Sequence, residues 1–235
     1  MKTIGLIGGM SWESTVPYYR LINETVRSTL GGLHSAKLML ISVNFHEIEM
    51  LQHAGNWTAA GEAMAGAAQA LHAGGADFIV LCTNTMHKVA HQITAATPLP
   101  LLHIVDSTAD ALAQAGVTRV GLLGTRFTME QDFYRERLST RGFEVITPDE
   151  DGRDNIHRII YDELCQGVIR DESRAIYRQI MSSMSGAGAQ GIILGCTEIS
   201  LLVDQSDATV PLFDTTALHA QAAALLSIAG ELQKC

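Results

Sequence analysis

Two stretches of this chain say almost the same thing. Gly75-Ala76-Asp77-Phe78-Ile79-Val80-Leu81-Cys82-Thr83-Asn84 returns as Gly188-Ala189-Gln190-Gly191-Ile192-Ile193-Leu194-Gly195-Cys196-Thr197, with the same offset of 113 residues from Gly75 to Gly188 and from Thr83 to Cys196. A second echo pairs Ile4-Gly5-Leu6-Ile7-Gly8-Gly9 with Val120-Gly121-Leu122-Leu123-Gly124-Thr125, and a third pairs Pro100-Leu101-Leu102 with Pro211-Leu212-Phe213. Such a duplication limits the fold more than composition does. Duplicated α/β halves tend to face each other across a shared crevice. The repeat then sets Cys196 opposite Thr83, a thiol against a hydroxyl.

Short apolar runs alternate with longer amphipathic ones, the pattern of βαβ units on a parallel sheet. Strands are predicted near 2–7, 37–43, 77–82, 100–103, 118–123, 143–147, 190–195 and 210–213. Helices are predicted near 14–29, 57–73, 85–94, 107–115, 128–141, 153–166, 172–185 and 216–230. Gly31-Gly32, Gly74-Gly75 and Gly186-Ala187-Gly188 punctuate helix ends, where positive φ favours glycine. The expected architecture is α/β, with two pseudo-twofold-related lobes, each a parallel sheet flanked by helices, and the active site in the cleft between them. The first lobe takes 1–112 plus 214–235 and the second 113–213, the last helix returning to the first. Ligands of parallel sheets bind outside the carboxyl ends of strands, and every motif below sits at one.

Composition excludes several classes. The 47% hydrophobic share is ordinary for a globular chain, and no run approaches the ~18 apolar residues of a membrane span. The net charge is −9, from 25 acids against 16 Lys and Arg, without a basic run; nucleic acid is not an expected partner. The N-terminus carries no signal-peptide pattern, so a cytoplasmic location is expected. Cys82, Cys165, Cys196 and Cys235 are widely spaced. No CxxC or His/Cys metal spacing appears, and reduced thiols are expected.

Gly8-Gly9-Met10-Ser11 follows the first strand, where glycines admit a ligand close to the backbone and the next amides can hold an anion. It lacks GxGxxG and a following lysine, so nucleotide binding is not indicated. Thr83-Asn84-Thr85-Met86-His87 closes one echoed strand, where all three polar residues can cap a helix. Its twin closes with Cys196-Thr197-Glu198. A thiol ahead of free backbone N–H groups is expected to have a lowered pKa and to be functional. Cys82 should point to the core by strand alternation, and Cys165 and Cys235 read as structural. His87, four residues after Thr83, reads more readily as a packing or capping residue than as a cleft residue. Trp12 and Tyr18-Tyr19 are expected to pack their helix on the sheet.

Over essentially its whole length the chain resembles the aspartate/glutamate racemases that work without pyridoxal phosphate. The likeness rests on Gly5-Leu6-Ile7-Gly8-Gly9-Met10-Ser11-Trp12-Glu13-Ser14, Thr83-Asn84-Thr85, Leu123-Gly124-Thr125 and Leu194-Gly195-Cys196-Thr197-Glu198. It implies an isomerase without cofactor or metal, acting on a small-molecule amino acid, and a homodimer. Members typically carry two cysteines as opposing acid and base, but Thr83 replaces the first here, as in a Thr/Cys subgroup. Cys196 is thereby implied to take the α-proton of the L-enantiomer, with reprotonation from the Thr83 side. An aliphatic hydroxyl, unlike a thiol, is not ionised near neutrality. Met10, Ser11, Gln52, Asn84, Thr85, Thr125, Thr197 and Glu198 match positions that hold substrate. Gln52 and Cys165-Gln166 stand where aspartate-specific members place cations, which implies tolerance of neutral side chains. The competing readings are a single-cysteine decarboxylase or isomerase of the same superfamily, and an amino-acid sensor without chemistry.

Overall fold

The computed structural model describes residues 1–232; the reading of Cys235 as structural lies outside them. The chain divides into two compact units, residues 1–104 with the segment from His219 onward, and Val105–Leu218. The first crossing thus falls at Ile104/Val105 and the second at Leu218/His219, against sequence expectations of 112/113 and 213/214.

Unit 1 runs β1 (Ile4–Gly8), α1 (Trp12–Leu30), β2 (Leu38–Ser42), α2 (Phe45–His53), α3 (Trp57–Ala73), β3 (Phe78–Leu81), a 3₁₀ turn (Thr85–Val89), α4 (Ala90–Ala96) and β4 (Leu101–Leu102). Unit 2 follows with α5 (Ile104–Gln114), β5 (Arg119–Gly124), α6 (Arg126–Glu130), α7 (Asp132–Ser139), β6 (Glu144–Ile146), α8 (Glu150–Asp162), a 3₁₀ turn (Leu164–Gln166), α9 (Asp171–Gly186), β7 (Gly191–Gly195), α10 (Ile199–Leu202) and β8 (Leu212–Asp214). The closing helix, α11 (Thr215–Leu232), carries the chain back into unit 1. Each unit holds a four-stranded parallel sheet, β2-β1-β3-β4 in one and β6-β5-β7-β8 in the other. The order is the same in both, as the three echoes require.

The central strands read as continuous apolar runs because both of their faces are covered. β1, β3 and β7 are buried at every position. Alternation then sorts side chains by face. In unit 1, Ile4, Leu6, Phe78, Val80 and Cys82 pack with Tyr18, Ile22 and Val26 of α1 and with Ala220, Ala223, Ala224 and Ile228 of α11. Ile7, Ile79 and Leu81 pack on the other side with Ala60, Met64, Ala67, Ala68 and Leu71 of α3. Ala60, Ala67 and Ala68 recur at helical spacing and join the core, whereas Ala63 and Ala70 of the same helix are exposed. In unit 2, Leu123, Ile192, Leu194 and Cys196 meet Ile156, Ile159 and Ile160 of α8 and Tyr177, Met181 and Met184 of α9. Each such large apolar side chain contributes about 1.5–3 kcal/mol on burial.

One expectation fails on this surface. Tyr18 is fully buried, but Trp12 is 64% and Tyr19 57% exposed, together with Val16 at 57%. Residues 12, 16 and 19 share one helical face, and it is the outer face of α1. Among the described residues, no helix is long and apolar enough to cross a membrane.

Candidate active site

Unit 1 gathers six of the expected residues around the carboxyl ends of adjacent strands. The β1–β3 ladder aligns Ile7 with Leu81 and is extended by the Cys82 amide donating to the Ile7 carbonyl at 2.9 Å. Met10 and Thr83 therefore follow neighbouring strands. The chain can turn after β1 because Gly9 adopts φ +92°, and a Cβ there would lie 2.4 Å from the Val43 carbonyl oxygen. Only glycine accommodates both constraints. The Gly9 amide donates to Thr15 Oγ1 at 2.9 Å, and that hydroxyl donates onward to the Ser11 carbonyl at 2.9 Å. Met10, Ser11, Thr83, Asn84 and Thr85 are all buried. Gln52 lies on α2, a helix sequence reading passed over, and its Nε2 donates to Met86 Sδ at 3.1 Å. A neutral amide, rather than a cation, thus stands beside the turn that follows Thr83.

His87 is buried and does not open onto solvent. Its Nδ1 lies 2.7 Å from the Thr83 carbonyl, and its Nε2 accepts from the Ile104 amide at 3.2 Å. A carbonyl only accepts, so Nδ1 carries the hydrogen and the ring is neutral.

Unit 2 holds the other four expected residues. β5 and β7 run so close that a Cβ on Gly195 would sit 2.7 Å from the Leu123 carbonyl, which explains why the residue before the thiol is glycine. Thr125 caps α6, its hydroxyl accepting from the Thr128 amide at 3.3 Å. Cys196 is buried, and its Sγ donates to Glu198 Oε2 at 2.9 Å. Thr197 Oγ1 donates to the same oxygen at 2.9 Å. Glu198 is itself buried. The carboxylate that the resemblance assigned to substrate therefore accepts the thiol's hydrogen bond in this structure.

Burial overturns the expected lowering of the thiol's pKa, and the Glu198 contact adds to the effect. Burial pushes the Cys196 thiol well above its ordinary value, and the neighbouring Glu198 charge pushes it further. Helix-entry amides favour a thiolate only when nothing nearer opposes them. Here a carboxylate at hydrogen-bond distance does. Cys82, by contrast, is fully buried in the unit 1 core as expected, its thiol held up by desolvation alone. Cys165 sits half-buried in the 3₁₀ turn after α8, packed against the unit 2 core.

Two residues near this site escaped the sequence reading. Asp214 ends β8, level with Leu194 of β7, and burial raises its carboxyl pKa although the Thr216 amide donates to it at 2.8 Å. The third echo held the signal: Asp214 follows Pro211-Leu212-Phe213 as His103 follows Pro100-Leu101-Leu102. Tyr177 of α9 is fully buried, and its hydroxyl has no hydrogen-bond partner among the described residues. Burial raises its pKa, with the charges of Cys196 and Glu198 next in size. Helical periodicity marks Tyr177 only as core; nothing in the sequence marks it as a neighbour of the thiol. Among the described residues, no cluster of His, Cys, Asp or Glu is arranged to hold a metal ion.

With this geometry in place, comparison with known proteins settles the class. Residues 7–223 match the family described as Asp/Glu/Hydantoin racemase. A crystal structure from Yersinia pestis, assigned to the Asp/Glu racemases, shares 58% identity and superposes with a TM-score of 0.90, covering 97% of this chain and all of that one. An aspartate racemase homologue from Pyrococcus horikoshii OT3 is 34% identical with a TM-score of 0.83, over 97% and 99% of the two chains. The broad specificity amino-acid racemase RacX of Bacillus subtilis (strain 168) is 26% identical over 93% of this chain and 95% of its own. This chain belongs to the Asp/Glu/Hydantoin racemase family. It is an isomerase, which sets aside the reading as a sensor without chemistry.

Proposed function

We propose that this enzyme racemises amino acids without a cofactor, Cys196 taking the α-proton of an L-amino acid and the Thr83 side supplying the opposite face. The observation that carries the proposal is the buried Cys196–Glu198 pair at the end of the strand that repeats β3. Passing the thiol proton to Glu198 leaves the pair's total charge unchanged, so it avoids adding charge to a buried site. The thiolate then removes the α-proton, and the electron pair delocalises into the substrate carboxylate. Thr83 delivers a proton to the other face, directly or through a water, and regains one from solvent while Glu198 releases the thiol's original proton to solvent. The proposal requires β3 and β7 to present Thr83 and Cys196 to the same bound amino acid.

Asn84, Thr85, Thr125, Thr197, Met10 and Ser11 are the proposed contacts to the substrate's carboxylate and amine. Backbone and hydroxyl donors aimed there stabilise the dianionic transition state more than the ground state. The neutral Gln52, held by Met86, supports acceptance of neutral side chains besides aspartate and glutamate, in keeping with the name of the RacX relative. The exposed Trp12, Val16 and Tyr19 face supports a homodimer, to be checked by light scattering of wild type and Trp12→Glu. A cytoplasmic setting, in which thiols stay reduced, is part of the same proposal.

The deciding experiment follows α-proton exchange in D₂O, with chiral chromatography, for L- and D-aspartate, glutamate, alanine and methionine. Cys196-dependent washout from the L-enantiomers, faster than from the D-enantiomers, is the expected result. Equal washout from both enantiomers excludes the one-sided mechanism, and washout surviving Cys196→Ala excludes the assigned base.

A further inference from the structure

We propose that His87 is a positioning residue for inversion, tying the turn that carries Thr83 to the segment where the chain leaves unit 1. The inference rests on the role given to Thr83 above. His87 links two buried backbone groups far apart in sequence, the Thr83 carbonyl at 2.7 Å and the amide of Ile104, 17 residues beyond the ring, at 3.2 Å. An apolar residue would fill the space but leave both groups unpaired, at substantial cost. The ring fixes the peptide after Thr83, and with it the direction of the hydroxyl and of the Asn84 amide. The turn is closed a second time by the His87 amide donating to the Asn84 carbonyl at 3.1 Å.

The ring does not act alone. Its centroid lies 4.4 Å from that of His103 and 6.0 Å from that of His219. His219 Nε2 lies 2.9 Å from the Leu102 carbonyl, and its Nδ1 lies 2.9 Å from the Tyr18 hydroxyl. By the same reasoning as for His87, Nε2 of His219 carries its hydrogen and Nδ1 accepts. Ile104 is the last residue of the first segment of unit 1 and His219 the first of the second. Both residues at which the chain passes between units are thus held by one group of imidazoles, and that group also holds Thr83.

The test separates positioning from mere support. In D₂O, Cys196 exchanges the α-proton of an L-amino acid; return of a deuteron to the same face gives labelled L-product, whereas delivery from the Thr83 side gives labelled D-product. The ratio of exchange to inversion therefore reads how the deprotonated substrate partitions between return from Cys196 and delivery from the Thr83 side. His87→Gln keeps an acceptor at the depth of Nε2 but loses the donor to Thr83. His87→Asn keeps a donor at the depth of Nδ1. With L-aspartate and L-glutamate as probes, His87→Gln should raise the ratio about tenfold, the scale of one buried hydrogen bond, and His87→Asn should bring it back toward wild type. Parallel falls of exchange and inversion in both variants, with the ratio unmoved, would overturn the proposal. Absence of Cys196-dependent exchange in the wild type is a different failure and sinks the racemisation mechanism itself.

Discussion

Replacing Glu198 by Gln tests the Cys196 mechanism most directly, because two consequences of the change oppose each other. The carboxylate raises the thiol's pKa by its charge, so removing it should make Cys196 easier to ionise from solvent. The same carboxylate, 2.9 Å from Sγ, is the proposed acceptor of the thiol's proton, and glutamine cannot take it. Burial of Cys196 remains in either case and continues to hold the thiol up, being the largest cause of its shift. The loss of the acceptor should therefore dominate near neutrality. A positioned proton acceptor is worth about 10²–10⁴ in rate, which corresponds to about 3–5 kcal/mol of barrier. Glu198→Gln should lower kcat for L-substrates by that factor at pH 7, with KM little changed, since the loss is in the chemical step. The deficit should shrink as pH rises, because hydroxide ionises the thiol without help, and the variant's alkaline limb should lie at lower pH than the wild type's. The assay is the initial rate of α-deuterium incorporation between pH 6.5 and 10. Activity of Glu198→Gln equal to or above wild type at pH 7 would show that the carboxylate only suppresses the thiol, and the proposed proton transfer would be wrong.

Thr83→Cys places a group that is partly ionised near neutrality where a hydroxyl is not. Washout from D-enantiomers should rise at least about tenfold, and an unchanged D-rate in a folded variant would count against the role of Thr83. Tyr177→Phe removes a buried hydroxyl that has no hydrogen-bond partner among the described residues. Relief of about 1–2 kcal/mol should raise Tm by about 2–6 °C by differential scanning fluorimetry; a fall would mean that the hydroxyl is engaged. Cys82, Tyr134 and Tyr177 are all held protonated by burial. The folded chain keeps protons that the unfolded chain releases above about pH 8.5 for thiols and 10 for phenols. Their contribution is complete below those values, so urea midpoints should fall between pH 8 and 10.5.

Much of this fold is legible because both sheets are parallel and buried. Every predicted strand lies at an observed one, from Ile4–Gly8 to Leu212–Asp214, and the helix predicted over 57–73 coincides with α3. Apolar runs bounded by glycines leave little choice there. The misses have local causes. α2 and α10 are short, and amphipathic periodicity needs about three turns or more to stand out. The helix predicted near 128–141 is two helices, α6 and α7, meeting at Gln131, whose extended backbone no pattern of apolar residues announces. The placement of Thr83 and Cys196 just past the ends of β3 and β7 was legible, because the repeat marks those positions. The ionisation of Cys196 was not. It depends first on burial of the sulfur and then on a carboxylate two residues on folding back to it, neither of which sequence spacing specifies.

Under the proposed mechanism, the duplication lets one scaffold serve two unequal chemical roles. The ends of β3 and β4 carry Thr83 and His103, with His87 neutral behind the Thr83 carbonyl. The corresponding ends of β7 and β8 carry Cys196 and Asp214, with Glu198 against the sulfur. The backbone at these ends repeats, down to strand order, so the difference lies in side chains. Unit 2 sets one carboxylate, Glu198, at hydrogen-bond distance from an ionisable thiol. Unit 1 sets one imidazole, His87, with both ring nitrogens committed to backbone partners, behind a non-ionising hydroxyl. Under the proposed mechanism the first arrangement suits a group that must give up a proton before it can take one, and the second a group that has only to be held still while it donates. Converting Thr83 to Cys alone would then leave the unit 1 thiol without a carboxylate like Glu198. A symmetric racemase should need both Thr83→Cys and a carboxylate introduced at Thr85, the position two residues on that matches Glu198. If Thr83→Cys by itself equalises exchange from the two enantiomers, the carboxylate is dispensable and the asymmetry resides in the sulfur alone.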